Sequence, residues 1–479
     1  MLLQISNSLS SANALPEDLT AHILQHVPQQ QRLQQCAAVC KAWASAAALA
    51  TVHVKLKRER IQSISNFNSW LQQHAGQLES LELLYVDGGG DEQLELQLPV
   101  GRLAKLQRLE LEGFKLLLPG EEDSSCSDGQ GTHASAPPGL PRLQHLKLYS
   151  VQFISISSLL QLAGVPGLTS LKTKDISFAK PKPVKICSGA FWGNDEPAMQ
   201  QLAADLPSLL QQLPRLAVLE LPGMPMSEAA MQQLGGMQGL HDLSLTRAEH
   251  MPPCKLQHLP SSITQLQFAG DRYIIGPEFN NEPSLPPQML QLAGLLQLDL
   301  QECAFTPAVL GAFTRMQKLK LWQCTLLPRG PDDDDDVYDT QGTAALLDAL
   351  AKLTCLQDLE LALDGLDTVS TAPQRFASLT ASTHLTLLVL EPYGCIPLAK
   401  GAVQYMFPAG RQLPLLQHIT ITPRVEERQD WDADQWCIDA ADIRQIASCC
   451  TGLAWLDIAL TVKPGVCICF AAYCLARVR

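Results

Sequence analysis

The stretch Leu295-Leu296-Gln297-Leu298-Asp299-Leu300-Gln301-Glu302-Cys303-Ala304-Phe305 decides the fold of this chain. Leu298 and Leu300 alternate with Gln297, Asp299 and Gln301, the period-two pattern of a short strand with one apolar and one polar face. Leu295 precedes this strand at a fixed offset, and Cys303 and Phe305 follow it at another. The same spacing returns at Met316-Leu319-Leu321, trailed by Cys324-Thr325-Leu326. Working outward, the unit occurs upstream at Leu78-Leu81-Leu83, Leu106-Leu109-Leu111, Leu143-Leu146-Leu148, Leu216-Leu219-Leu221, Leu240-Leu243-Leu245 and Ile263-Leu266-Phe268. Downstream it occurs at Leu356-Leu359-Leu361, Leu385-Leu388-Leu390, Leu416-Ile419-Ile421 and Leu453-Leu456-Ile458. A degenerate copy at Leu168-Leu171 has Thr173 in place of the third leucine. One such strand cannot bury its own leucines, but stacked copies share a continuous core, so recurrence itself is the fold signal.

The two extended copies match the Leu-x-x-Leu-x-Leu-x-x-Cys-x-Leu pattern, and this part of the chain resembles leucine-rich repeat proteins. The resemblance implies an α/β right-handed solenoid, with a curved parallel sheet on its concave side and helices and loops on its convex side. The segments Pro197–Leu213, Pro307–Phe313 and Thr343–Lys352 read as returning helices.

Strand alternation predicts which side chains face away from the leucines. They are Arg108, Glu110 and Glu112, then His145, Lys147 and Tyr149, then Ser170, Lys172 and Lys174. Further on come Asp242, Gln265, Gln297, Asp299, Gln301, Lys318, Lys320, Trp322, Asp358, Glu360, His418, Trp455 and Asp457. Two basic spots with an aromatic neighbour result. One is Lys318, Lys320 and Trp322; the other is Lys147, Lys172 and Lys174 with Tyr149. Anchors of this kind concentrate binding energy in protein interfaces, so both are candidate contacts for a protein partner.

Repeat spacing is irregular, and the long intervals locate loop insertions near 119–139, 174–196, 270–287 and 328–342. The second carries Lys180-Pro181-Lys182-Pro183-Val184-Lys185, and the fourth carries the aspartate run Asp332–Asp336, which lacks the geometry of a calcium loop. The array is expected over 78–461. A tail at 462–479 shows no repeat periodicity and reads as irregular.

The N-terminus carries a different pattern. Leu15-Pro16-Glu17-Asp18-Leu19 is followed by Ile23-Leu24 and then by Val39-Cys40-Lys41-Ala42-Trp43. Pro16 suits a first helical turn, and Glu17 and Asp18 sit where the helix dipole favours carboxylates. Leu19, Ile23 and Val27 recur at helical spacing. A helical unit this short buries too little surface alone and needs a partner. The ordered motif resembles an F-box, the helical module that docks on a Skp-type adaptor of cullin–RING ubiquitin ligases. The resemblance implies an adaptor-binding set of Leu15, Pro16, Leu19, Ile23, Leu24, Val39, Cys40 and Trp43. The expected organisation is a disordered 1–13, an F-box at 14–56 and a connecting segment at 57–77.

Composition narrows the function further. The chain has 479 residues, 46% hydrophobic and 17% charged, with a formal net charge of −13. That charge disfavours nucleic acid and anionic membrane surfaces as partners. The apolar run Val466–Ala476 is too short to span a bilayer. The fifteen cysteines are scattered and form no paired Cys-x-x-Cys knuckles, so they read as reduced core residues in a cytosolic or nuclear protein. No P-loop, nucleophile elbow or His-Glu-x-x-His motif occurs, so no catalytic residue, metal or cofactor is expected. The two resemblances together imply the substrate receptor of an SCF-type ligase, with the F-box on the adaptor and the repeats on a target protein. The alternative is a non-catalytic scaffold of cytoskeleton or cilium axoneme whose F-box-like helices only cap the array.

Overall fold

A computed structural model describes residues 17–27, 31, 35, 46–47, 50–57, 61, 63–84, 94–118, 140–153, 156–174, 176–178, 196–222, 226–246, 256–270, 287–326, 340–363, 373–391, 401–421, 440–462 and 466–471. The chain divides into two compact units, Met1–Glu220 and Leu221–Arg479.

The first unit opens with helix α1 (Glu17–Gln25). Its Ala21 and Leu24 pack with Ala46, Ala47 and Ala50, and Val27 lies against them. Parallel strands follow: β1 (His53–Lys57), β2 (Ser80–Leu84), β4 (Arg108–Glu112), β6 (His145–Tyr149), β8 (Ser170–Lys174) and β10 (Val218–Leu221). A second, smaller parallel sheet comprises β3 (Leu94–Gln97), β5 (Phe114–Leu117), β7 (Gln152–Phe153) and β9 (Ser177–Phe178). Helices Ile64–His74, Ile156–Ala163 and Glu196–Gln211 belong to the same unit.

The second unit carries β11 (Asp242–Thr246), β12 (Gln265–Ala269), β13 (Gln297–Gln301), β15 (Lys318–Leu326), β16 (Asp358–Leu363), β17 (Leu387–Leu390), β18 (His418–Ile421) and β19 (Trp455–Val462), all parallel in that order. A short β14 (Ala304–Phe305) pairs with the far end of β15. Helical segments return between strands, among them Pro307–Ala312, Thr340–Leu350 and Ala440–Cys449. The first of these is a 3-10 helix rather than an α-helix.

In both units every step repeats one device. The residue just before a strand offers its carbonyl to two successive amides of the next repeat. Gln107 O accepts from Gln144 N and His145 N at 2.8 and 3.0 Å, and Gln317 O accepts from Gln357 N and Asp358 N at 2.7 and 3.0 Å. The strands therefore stay in register, leucine over leucine: Leu298 pairs with Leu266 and Leu319, and Leu300 with Phe268 and Leu321. All of these are buried to 3% exposure or less. Each such side chain contributes roughly 1.5–3 kcal/mol, so the repeated column carries the fold. Thr173 at the degenerate copy is 1% exposed, and its hydroxyl donates to Glu220 O at 3.2 Å. The hydrogen bond removes the cost of burying that polar group.

After several strands the chain turns a corner through left-handed backbone. Gly113, Ser150, Glu302 and Gln323 occupy the equivalent position with φ of 75°, 51°, 53° and 51°. Cys303 and Cys324 follow two of these corners and are buried side by side in the core. Burial pushes both thiols up, Cys324 to about 12, so they act as small hydrophobes rather than nucleophiles.

The structure corrects three boundaries. The array begins before residue 78, because β1 pairs in parallel with β2, His53 against Ser80 and Val54 against Leu81. Val54, at 2% exposure, fills a leucine site. The connecting segment 57–77 holds a helix, Ile64–His74, capped by Ser63 Oγ, which accepts from Asn66 N at 3.3 Å. Part of the tail expected to be irregular is a strand, β20 (Val466–Ala471), antiparallel to β19. A run of β-branched and apolar residues pairs with the last parallel strand without needing the repeat's offset leucine. Of the expected insertions, 119–139 lies outside the described residues. The other three overlap described structure only at their ends.

Candidate functional site

Three surfaces hold the residues that the sequence singled out. The first is on α1. Leu19 and Ile23, one turn apart, are 45% and 48% exposed, whereas the adjacent Leu24 turns inward and is 1% exposed. Isolated exposed leucines are common on protein surfaces, but two large apolar groups stacked on one turn of a short helix form a patch that water solvates poorly. Leu15, Pro16, Val39, Cys40 and Trp43 lie outside the described residues.

The second surface is the polar face of the second unit. β15 presents Lys318, Lys320 and Trp322 there, while Leu319 and Leu321 point into the core. The residues flanking them in register are Gln297, Asp299 and Gln301 on β13 and Asp358, Glu360 and Ala362 on β16. Register makes ion pairs: Lys318 Nζ is 2.8 Å from Asp358 Oδ2, and Lys320 Nζ is 3.3 Å from Glu360 Oε2. The Lys320 ammonium also sits 5.7 Å from the Trp322 ring centroid. The expected basic spot is therefore a charge-balanced strip around a half-buried tryptophan. Each exposed pair is worth about 0–1 kcal/mol to stability, so these charges are available to rearrange around a partner.

Asp299 is the outlier of this strip. Burial raises its carboxyl above the usual range and nearby Glu360 adds to that, while Gln301 Nε2, 3.2 Å from Asp299 Oδ1, and Lys320 oppose it. A carboxyl raised in the folded state makes its ionised form costly above that folded pKa. The cost disappears below the unfolded pKa. Asp299→Asn should thus raise the denaturation midpoint at about pH 7, and the gain should vanish toward about pH 3. Melting curves across that range check it; a loss of stability at neutral pH would contradict the reading.

The third surface is the polar face of the first unit, where Lys147, Tyr149, Lys172 and Lys174 come from β6 and β8. Lys147 Nζ lies 4.5 Å from the Tyr149 ring centroid. Tyr149 Oη donates to Glu220 Oε1 at 3.1 Å, and Lys172 Nζ is 3.4 Å from Glu220 Oε2. Burial, then Glu220, pushes the Tyr149 hydroxyl up to about 12, so it remains a donor. Glu220 ties this surface together, yet sequence reading does not single it out. Its signal was the alternation Leu219-Glu220-Leu221. The same column continues through Glu110, Glu82 and Lys55, with Lys55 Nζ 2.7 Å from Glu82 Oε2.

Among the described residues, no group of three or more His, Cys, Asp or Glu is placed to hold a metal ion. No helix among them is long and apolar enough to cross a membrane.

Comparison with known proteins gives two kinds of likeness. Residues 12–51 match the F-box-like family. Several solved structures are similar at low identity. A leucine-rich-repeat protein of Leptospira interrogans is 17% identical, over 86% of this chain and 91% of that one, with a TM-score of 0.42. An internalin of Listeria monocytogenes is 14% identical over 63% and 76%, with a TM-score of 0.32. The functional domain of InlJ from the same organism is 12% identical over 78% and 69%, with a TM-score of 0.36. No curated protein matches the chain. Residues 12–51 are thus similar to an F-box-like domain, and the parallel ladders that follow are built on a leucine repeat.

Proposed function

With an F-box-like domain ahead of a leucine-repeat array as the premise, we propose that this protein is the substrate receptor of an SCF-type cullin–RING ubiquitin ligase. The N-terminal helices dock on a Skp-type adaptor, and the polar faces of the array hold the protein to be ubiquitylated. The observation that carries the reading is α1. Its Leu19 and Ile23 are exposed, and the cluster that buries Leu24 contains no residue of the leucine array among the described residues. Helices that merely capped the array would turn this face onto it. The chain itself performs no chemistry in this scheme. It holds the target near a ubiquitin donor carried by other subunits, which raises effective concentration. Its place of action is the cytoplasm or nucleus.

Affinity purification from cells, followed by identification of the bound proteins, tests the proposal. The wild-type chain should recover a Skp-type adaptor and a cullin, and Leu19→Asp with Ile23→Asp should lose both while keeping array partners. Recovery of axonemal or cytoskeletal proteins with no adaptor would overturn it in favour of the scaffold.

For the target we propose the strip around Trp322, with Lys318 and Lys320, and next the surface of Lys147, Tyr149, Lys172 and Lys174. Carboxylates beside Lys318, Lys320 and Lys172 favour a mixed-charge peptide over a purely anionic one. Trp322→Ala combined with Lys320→Glu should remove co-purifying targets and leave the adaptor bound. Unchanged target recovery would move the site to the other surface.

A further inference from the structure

Strand β17 breaks the alternation of its neighbours. Leu387-Leu388-Val389-Leu390 is an unbroken apolar run, the pattern of a strand covered on both faces. Leu388 and Leu390 point into the core and are fully buried. Leu387 and Val389 lie on the opposite, polar face and are only half-buried. In register with them, β16 carries Asp358 and Glu360, and β18 carries His418 and Thr420. Leucine and valine therefore stand where the adjacent strands place groups that water solvates.

The apolar surface extends past β17 on both sides. Ala362, diagonal to Val389 on β16, is 2% exposed and pairs in register with the half-buried Trp322. Trp455 on β19 stands one strand beyond His418, in the column of Leu387. Single exposed apolar residues are ordinary, but a band shared by successive strands marks an interaction surface. The charged border of this band is uneven. On the β16 side Lys318 and Lys320 answer Asp358 and Glu360 at 2.8 and 3.3 Å. On the β19 side Asp457, in the column of Val389 and Thr420, has no ion-pair partner among the described residues.

Taking this face as the seat of the target, as proposed above, we infer that the target presents a large apolar side chain and, about three residues away, a lysine or arginine. The apolar side chain covers Leu387 and Val389 and supplies the outer cover that the run in β17 lacks. Two strand spacings separate Val389 from Asp457, roughly 10 Å, which an extended segment laid across the strands spans in about three residues. The cation then meets the carboxylate that has no lysine of its own. The formal net charge of −13 disfavours a second copy of this chain as the occupant and favours a cationic segment.

The test uses the full-length protein and fluorescent peptides read by polarisation. The peptides are degenerate except for a central leucine or serine and a lysine or glutamate three residues to either side. The leucine–lysine pool should bind at least about tenfold tighter than the serine–lysine pool, the effect of burying one leucine. It should also bind tighter than the leucine–glutamate pool. Leu387→Lys with Val389→Thr should abolish the leucine preference; threonine keeps the β-branched shape, and the lysine matches Lys318 in the same column, so the strand is kept. Asp457→Lys should leave the leucine preference and reverse the choice between lysine and glutamate, which keeps the test decisive if the double variant melts early. Gln265→Lys, at the same column position on β12, should change neither preference. Equal binding of the serine and leucine pools by the wild type overturns the inference, as does a leucine preference that survives the double variant. So does a wild type that self-associates in light scattering while the double variant is monomeric, which would mean that a second copy covers the face. Adaptor capture is read on the same preparations: its loss with both peptide preferences intact sinks the ligase reading and leaves this surface standing.

Discussion

Leu298→Ala should destabilise the protein by about 2–5 kcal/mol. Leu298 is 1% exposed and stacks in register between Leu266 and Leu319, so its removal opens a cavity that three strands share. A parallel ladder cannot close that cavity by moving one strand, because each strand is pinned on both sides by doubly accepted backbone carbonyls. The neighbouring Gln297 sits on the opposite face, half-buried and level with Gln265 and Lys318. Gln297→Ala should stay within about 0.5 kcal/mol of wild type. Denaturant titration of both variants checks the register, and the reverse order of effects would refute it.

Gly270→Ala should cost about 1–3 kcal/mol or more, although it adds a single methyl group. A Cβ at this position would lie 2.2 Å from the Glu302 carbonyl oxygen and 3.0 Å from its carbon. Both atoms are backbone, on a corner already held in the left-handed region at φ 53°. Relief requires the next repeat to move, which breaks the bond from Gly270 N to Gln301 O, 2.6 Å long. Gly294→Ala is the control, since nothing lies within 4 Å of its Cβ. It should be neutral or stabilising by up to about 1 kcal/mol, through the unfolded chain's lost freedom. Equal thermal shifts for the two variants would mean that the close approach at 270 is not a constraint.

The repeat core was legible because leucine alternation reports which face is buried, and that information is local. Each of the polar-face residues named from sequence on β4, β6, β8, β13 and β15 lies opposite its buried neighbours. Pairing between repeats was less legible. That Lys320 meets Glu360 depends on the register across an insertion, which no local period reports. The acidic border of the Trp322 strip, Asp299, Asp358 and Glu360, was legible from strand alternation, but which carboxylate meets which lysine was not. Strand β1 escaped because valine at 54 breaks the leucine count while filling the same volume. The left-handed corners carried a sequence signal at Gly113 alone, since Ser150, Glu302 and Gln323 adopt the same conformation without the residue that favours it. On α1, period placed Leu19 and Ile23 on one face, but the inward turn of Leu24 needed the partners Ala46, Ala47 and Ala50 to be seen.

The claim that the N-terminal helices are a tether and the repeats a separate recognition surface is tested most directly by titrating a purified Skp-type adaptor into the full-length protein. Wild type is compared with the variant carrying Leu15→Ala and Pro16→Ala, with circular dichroism confirming that the array stays folded. The account predicts saturable binding by the wild type and its loss in the variant, because removing even one leucine from a small interface forfeits roughly 1.5–3 kcal/mol. No binding by the wild type, or equal binding by both, would contradict it.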